Sequence, residues 1–262
     1  MLKKITNKTR RLLAGNHRVW KAQPDDVFIV SYPRSGNTWL RYLLANLFEP
    51  EEEWNIDNIN RVVPDLHQPW PTNWIKRHPR LLKSHESYNP EYQNVIYIYR
   101  DGRDVAISYH HSLDKVKGYH YSFNKFFEDY LIGHVPFGGW GNHITHWMFA
   151  QHPVNILTVQ YENLVCNVSH EVARIGQFLQ QPWTEEEITI AIEKSSYEKI
   201  QENYASFKRE THWNKGFQAG VKGGPGKWKE ILTPEQNEQF WKAAGEVADR
   251  LGYRKEDAQA KA

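Results

Sequence analysis

The residues best suited to chemistry in this 262-residue chain are polar side chains that follow apolar runs. The apolar run 27–30 precedes a short loop, and a helical pattern starts directly after it. A strand, a tight loop and a helix N-terminus together form a common anion site, because backbone amides and the helix dipole converge there. The loop and first turn carry donors suited to a phosphate: Arg34, Ser35, Gly36, Asn37 and Thr38. An ordinary turn with a surface arginine is the simpler alternative.

A second polar pair follows the apolar run 95–99. Arg100 ends that run, and Ser108 lies eight residues on, within the first turns of the next predicted helix. Parallel strands end at one edge of a sheet, where ligands bind, so Arg100 and Ser108 can hold a second anion. The alternative is a local ion pair of Arg100 with Asp104.

The first loop differs from the nucleoside triphosphate pattern. It has no opening glycine and no lysine after Gly36, both of which the Walker A motif requires. A nucleoside or small-molecule kinase of related fold is therefore disfavoured. A non-catalytic carbohydrate-binding protein would use the 11 tryptophans but has no need of cations at strand ends.

The order of apolar runs predicts an α/β fold. Strands at 27–30, 81–84, 95–99 and 155–161 each precede a helix or lead into one, which favours a central, mostly parallel sheet flanked by helices. Further helices are predicted at 104–113, 123–133, 140–150 and 171–179, and capping boxes at Thr184 and Thr233. The interpretation is one domain over 1–262, with a basic segment at 1–24 and a mobile glycine-rich loop at 209–229.

Taken together, these motifs resemble the PAPS-dependent, cytosolic-type sulfotransferases, whose donor is 3′-phosphoadenosine 5′-phosphosulfate (PAPS). The run 32–39 resembles their 5′-phosphosulfate loop, and Arg100 with Ser108 resembles their 3′-phosphate pair. The resemblance spans about residues 26–233 and implies a three-layer, P-loop-like fold. Further matching segments are Leu82-Lys83-Ser84-His85, 127–147, Tyr161-Glu162-Asn163-Leu164, Ser195-Ser196-Tyr197 and Lys222-Gly223 with 226–229.

The resemblance implies roles for individual residues. His85 is the general base, Lys83 neutralises sulfuryl oxygens, Arg34 holds the 5′-phosphate, and Ser108 anchors the 3′-phosphate and tunes the neighbouring cation. The remaining nucleotide contacts implied are Ser35, Gly36, Asn37, Thr38, Trp39, Arg100, Tyr161, Ser195, Tyr197, Lys222 and Gly223. The loop 209–229 closes over the nucleotide, and 3′-phosphoadenosine 5′-phosphate (PAP) is the product.

Three residues differ from the pattern that is usual in that family, and further observations concern the oligomeric state and the acceptor side. Arg34 stands where many members have lysine, Asn37 replaces a common threonine, and Val221 replaces an arginine that grips the 3′-phosphate. The family's C-terminal dimerisation motif is not found, so the oligomeric state is left open. His143 and Trp147 are expected to face the acceptor.

Composition and charge limit the kinds of partner and ligand that are expected for this chain. A formal net charge of +2 gives no indication of nucleic-acid binding. The single cysteine, Cys166, fits a cytoplasmic protein without disulfides, and no run reaches the about 20 apolar residues of a membrane span. The histidines lack an acidic partner at ligand spacing, so no metal is expected. The acceptor is a hydroxyl on a small molecule, lipid or glycan.

Overall fold

The computed structural model describes residues 22–56, 58–68, 79–114, 121–152, 154–206 and 224–258. The strands are β1 (Val27–Ser31), β2 (Leu81–Ser84), β3 (Asn94–Tyr99) and β4 (Asn155–Gln160). The first helices are α1 (Asn37–Phe48), α2 (Gly102–Asp114), α3 (Phe123–Leu131) and α4 (Trp140–Ile144). They are followed by α5 (Tyr161–Cys166), α6 (Val168–Phe178), α7 (Glu185–Lys194), α8 (Tyr197–Ser206), α9 (Trp228–Ile231) and α10 (Pro234–Arg250). Short 3₁₀ turns occupy Asn58–Arg61 and Lys255–Ala258.

The described strands form one parallel sheet in the order β2-β1-β3-β4. The chain leaves β1 on one side to form β2 and then returns to place β3 on the other side. This reversal creates a switch point at the carboxyl edge beside β1, which is where open α/β sheets bind ligands.

Each face of the sheet carries its own hydrophobic core, because side chains alternate along a strand. Val27 and Ile29 belong to one cluster, whereas Phe28 and Val30 belong to the other. Helices α1, α6 and α7 pack on the first face, and α2, α3, α4 and α10 on the second. The predicted three-layer α/β fold is confirmed.

The predicted elements are all present, with boundaries that shift by a few residues. β2 has the predicted limits, while α2 starts two residues before the predicted 104 and α6 three before the predicted 171. The predicted helix 140–150 is α4 followed by a π-helical turn, Thr145–Phe149. Both capping boxes, at Thr184 and Thr233, are formed. Within the described ranges, no helix has the length and apolarity needed to cross a bilayer.

Candidate active site

The loop after β1 has the backbone conformation of an anion site. Gly36, with a φ of 104°, precedes α1 and has no side chain with which to cap the first turn of that helix. The amides that begin α1 are therefore left for a ligand, and a helix N-terminus favours a negative one. The Ser35 hydroxyl is fully buried and has no hydrogen-bond partner among the described residues. A phosphate oxygen bound in the loop would supply that partner.

The side chain of Asn37, a predicted nucleotide contact, hydrogen-bonds within the protein. Its side-chain amide donates to the Ile29 carbonyl at 3.1 Å and to the Ser31 hydroxyl at 3.3 Å. The side chain therefore ties α1 back to β1 and faces away from the predicted phosphate position. The part of Asn37 that lies at the helix N-terminus is its backbone amide.

Gly36 offers a direct test of the loop. A Cβ built on Gly36 would lie 2.5 Å from Cδ2 of Tyr161, and its φ of 104° strains any other residue. We expect Gly36→Ala to lower the free energy of unfolding by about 1–3 kcal/mol and to weaken PAP binding. Chemical denaturation and calorimetric titration measure the two effects.

Gly252→Ala is the matched control for Gly36→Ala. Gly252 has a φ of 86°, but an added Cβ there meets no described atom within 4 Å. The control therefore carries the backbone strain without the collision, and it should leave PAP affinity unchanged. Equal PAP affinity in the Gly36→Ala variant would contradict the assignment of the loop.

The two predicted anion sites meet at the carboxyl edge of the sheet. Arg34 Nε donates to Ser108 Oγ at 3.1 Å, and the Arg100 guanidinium lies 3.5 Å from the Arg34 carbonyl. Arg100 is 7% exposed, and its guanidinium carbon lies 4.3 Å from the centre of the Tyr161 ring. The structure thus brings together residues 66 to 74 positions apart in sequence.

The local ion pair of Arg100 with Asp104 is present but loose. Their closest nitrogen and oxygen are 3.7 Å apart, whereas strong charge-assisted hydrogen bonds measure about 2.7–2.9 Å. Arg100 Nε is buried and has no hydrogen-bond partner among the described residues. The Asp104 carboxylate instead accepts from the amides of Gly226 and Trp228 at 2.7 and 2.9 Å. Arg100 therefore retains donors for a ligand.

Asp104 also ties the end of the glycine-rich segment to this site. Gly226 and Trp228 follow the predicted loop residues Lys222 and Gly223, which lie outside the described residues. Burial raises the pKa of the Asp104 carboxyl, and Arg100 and the two amide donors oppose that rise. The carboxylate therefore links Arg100 to the last part of the predicted loop 209–229.

The predicted base, His85, directly follows β2 and reaches the start of the phosphate loop. Its Nδ1 lies 2.7 Å from the Ser31 carbonyl oxygen, which can only accept a hydrogen bond. Nδ1 therefore carries the proton, and Nε2 of the neutral ring has a lone pair. Burial lowers the pKa of His85 well below 6.5, and the charge of the nearby Lys83 lowers it further.

Lys83, predicted to neutralise sulfuryl oxygens, is already paired within the protein. Its ammonium pairs with the Asp65 carboxylate at 2.9 Å, and both residues are buried. Burial lowers the pKa of Lys83, and Asp65 opposes this effect. In this structure the Lys83 charge is neutralised within the protein, so Arg34 and Arg100 are the cations that border the phosphate loop.

Two of the predicted adenine contacts, Trp39 and Ser195, are hydrogen-bonded to each other. Trp39 Nε1 donates to the Ser195 carbonyl at 3.1 Å, and Tyr197 begins α8 two residues later. The Ser195 hydroxyl is fully buried and accepts from Asn46 Nδ2 at 2.9 Å, so it faces the protein and not the predicted adenine edge. Tyr161 packs against Gly36 and Arg100, between the two loops.

His143 and Trp147, expected to face the acceptor, are buried and hydrogen-bond to the segment that carries His85. His143 Nε2 donates to the His85 carbonyl at 3.2 Å, while Nδ1 accepts from the Tyr97 hydroxyl at 2.8 Å. Burial lowers the pKa of His143 to about 4, so the ring is neutral. Trp147 Nε1 donates to the Glu86 carbonyl at 2.9 Å.

Sequence reasoning missed two functional candidates, Asp65 and His67. They lie between predicted elements, in a stretch without hydrophobic periodicity. The one signal was their spacing of two residues, which matches that of Lys83 and His85. Sequence alone does not reveal that the two stretches lie side by side.

A parallel α/β sheet with a loop suited to an anion at its switch point is typical of nucleotide-binding enzymes. The sulfotransferase domain model matches residues 24–252. Sulfotransferase 1A1 of Rattus norvegicus is 30% identical over 84% of this chain and 83% of its own length. The chain belongs to the PAPS-dependent sulfotransferase family.

Solved structures share the fold at lower sequence identity. A mouse sulfotransferase complexed with PAP has a TM-score of 0.68 at 23% identity, covering 92% of this chain and 89% of its own. Retinol dehydratase, solved with androsterone and PAP, has a TM-score of 0.71 at 20% identity, covering 97% and 88%.

Proposed function

We propose that this protein transfers the sulfuryl group of PAPS to a hydroxyl of a small-molecule acceptor, with His85 as general base. The observation that carries the proposal is the position of His85 Nδ1, 2.7 Å from the Ser31 carbonyl at the start of the phosphate loop. The proposed base would then border the loop that holds the 5′-phosphosulfate. PAPS, when bound, supplies the sulfuryl group and leaves as PAP.

The residues present fit both charged ends of the donor. The buried Ser35 hydroxyl and Arg100 Nε have no hydrogen-bond partner among the described residues, and phosphate oxygens would satisfy both. Arg34 and the first amides of α1 would hold the 5′ end, and Arg100 with Ser108 the 3′-phosphate. Trp39 and Tyr197 would contact the adenine. The predicted contacts of Lys222 and Gly223 remain predictions.

The reaction depends on how the protein positions the reacting groups and stabilises their charge, more than on a covalent bond to the protein. Acceptor oxygen, sulfur and leaving oxygen must lie roughly in line, as in phosphoryl transfer. His85 Nε2 would accept the acceptor proton, while Arg34 and the helix N-terminus stabilise negative charge on the leaving phosphate. Such a base typically contributes about 10²–10⁴-fold to the rate.

Several classes of hydroxyl compound could serve as the acceptor. Phe137 meets the His85 ring edge to face, with ring centres 5.5 Å apart, so an apolar wall borders the base. We favour a small apolar alcohol or phenol over a glycan for this reason. Cytoplasmic location and the acceptor class are parts of this proposal.

A transfer assay with sulfur-labelled PAPS tests the function. The acceptor panel contains 2-naphthol, 1-octanol, a 3-hydroxysteroid, methyl glucoside and an aryl amine, each with EDTA present. We expect labelled product with at least one hydroxyl compound. Absence of transfer to every hydroxyl, or phosphate transfer from ATP only when Mg²⁺ is added, would exclude the proposal.

The pH dependence of turnover follows from the lowered pKa of His85. The neutral ring is the active form, so activity falls only as the pH drops through the pKa of His85 in the folded enzyme. Because burial holds that pKa well below 6.5, the kcat/KM should be nearly constant from pH 6.5 to 8. A profile that loses half its activity near pH 6.5 would contradict the buried, neutral base.

A further inference from the structure

A short segment beside β2 pairs with the strand that carries the predicted base. The Lys83 amide donates to the Pro64 carbonyl at 2.8 Å, and the Leu66 amide donates to the Lys83 carbonyl at 3.0 Å. Asp65 and Lys83 form an isolated parallel bridge. His67 lies in the turn that follows this bridge, where the Gln68 amide donates to the Asp65 carbonyl at 3.0 Å, and the turn brings His67 beside His85.

The side chains of this segment contact both residues of the predicted catalytic motif. Asp65 pairs with Lys83 at 2.9 Å, and the His85 amide donates to His67 Nε2 at 2.8 Å. The two imidazole rings are nearly parallel, at 8°, with centres 5.8 Å apart. Phe137 packs edge to face on both rings, at 5.0 and 5.5 Å.

These contacts define the protonation state of His67. Nε2 accepts a hydrogen bond only when it carries no proton, so His67 is neutral with its proton on Nδ1. The His67 amide donates to the Asp65 carboxylate at 2.9 Å, which fixes the backbone that presents the ring. His85 is thus held through its ring by Ser31 and through its backbone by His67.

We propose that His67 is a positioning residue for His85: by accepting the His85 amide through Nε2, it sets the position from which His85 removes the acceptor proton. This inference rests on the proposed role of His85 as the base. Displacement of a reacting group by about 1 Å costs about 10²-fold in rate, so loss of this contact should appear in kcat. His67 acts through His85 and does not transfer a proton itself.

Two substitutions at His67 test whether the His85 amide needs a hydrogen-bond acceptor at the position of His67 Nε2. The carbonyl oxygen of His67→Gln reaches about as far as Nε2, whereas that of His67→Asn is shorter by one carbon. With labelled PAPS and the best hydroxyl acceptor of the panel, we expect His67→Gln to retain kcat within about threefold. We expect His67→Asn, and likewise His67→Leu, to lose about 10²-fold in kcat with unchanged affinity for PAP.

The His85→Ala background shows whether His67 acts through the base. If it does, adding His67→Asn to His85→Ala causes no further loss, because the two residues act as a unit. Equal kcat in His67→Gln and His67→Asn would overturn the inference. So would a change in acceptor KM alone, or a further loss in the double variant. Normal turnover of His85→Ala by itself would instead refute the proposed function.

Discussion

The variant His85→Ala is expected to lower kcat by about 10²–10⁴-fold while binding PAP as tightly as the unchanged protein. The reason is geometric. The His85 ring touches the phosphate loop only at its first residue, where Nδ1 meets the Ser31 carbonyl at 2.7 Å. The groups that would hold the nucleotide lie farther along the loop and around Arg100. Initial-rate kinetics and calorimetric titration with PAP measure the two properties separately.

His143→Ala provides a comparison for His85→Ala. His143 donates to the His85 carbonyl from the core at 3.2 Å, and its ring meets Tyr32 edge to face, with ring centres 5.5 Å apart. Its loss should destabilise the protein and reduce the rate less than loss of the base. A His85→Ala enzyme with near-normal turnover would remove His85 from the role of base. Loss of PAP affinity in that variant would show that His85 belongs to the nucleotide site.

The second large effect is expected at Arg103, which is fully buried beside the anion site. Its guanidinium donates to both oxygens of the Asp101 carboxylate, at 3.0 and 2.8 Å, and to the Arg254 carbonyl at 3.1 Å. It also stacks on Trp228 at 3.4 Å from the ring centre. We expect Arg103→Met to lower the free energy of unfolding by about 3–5 kcal/mol, because it leaves the Asp101 charge buried without its partner.

A double variant separates the ion pair from packing at Arg103. Adding Asp101→Asn to Arg103→Met removes the uncompensated charge, so the double variant should be more stable than Arg103→Met alone. Lys125→Met is the exposed comparison: its pair with Asp129 lies on the surface and should contribute almost nothing. Urea unfolding gives the three free energies. Equal stability of Arg103→Met and Lys125→Met would refute the role of Arg103.

The fold was predictable because its signals are local. The run Val27–Val30 is continuous and apolar, as expected of a strand buried on both faces, and the loop that follows it ends at Gly36. Parallel strands end at the same edge, which predicts that Arg34 and Arg100 lie at that edge, but the pairing of β1 with β3 that makes them neighbours comes from the structure. The capping boxes at Thr184 and Thr233 are local for the same reason.

The contacts that Lys83, Asn37 and Ser195 make within the protein were not predictable, because the sequence does not show which residues they meet. Lys83 finds Asp65 across 18 residues, in a stretch without a periodic pattern. Asn37 turns inward because its amide completes hydrogen bonds to the buried end of β1. The Ser195 hydroxyl accepts a hydrogen bond from Asn46, which lies 149 residues away in sequence. Sequence identifies residue types suited to phosphate chemistry, but packing decides which of them are used within the protein.

The central claim is that the two anion sites beside β1 and β3 hold the two phosphate-bearing ends of one nucleoside. Calorimetric titration with PAP and with 5′-AMP, both with EDTA present, tests it most directly. The 3′-phosphate adds charge-assisted hydrogen bonds at Arg100 and Ser108, so PAP should bind about 10- to 150-fold more tightly than 5′-AMP. Equal affinity for the two nucleotides would contradict the account.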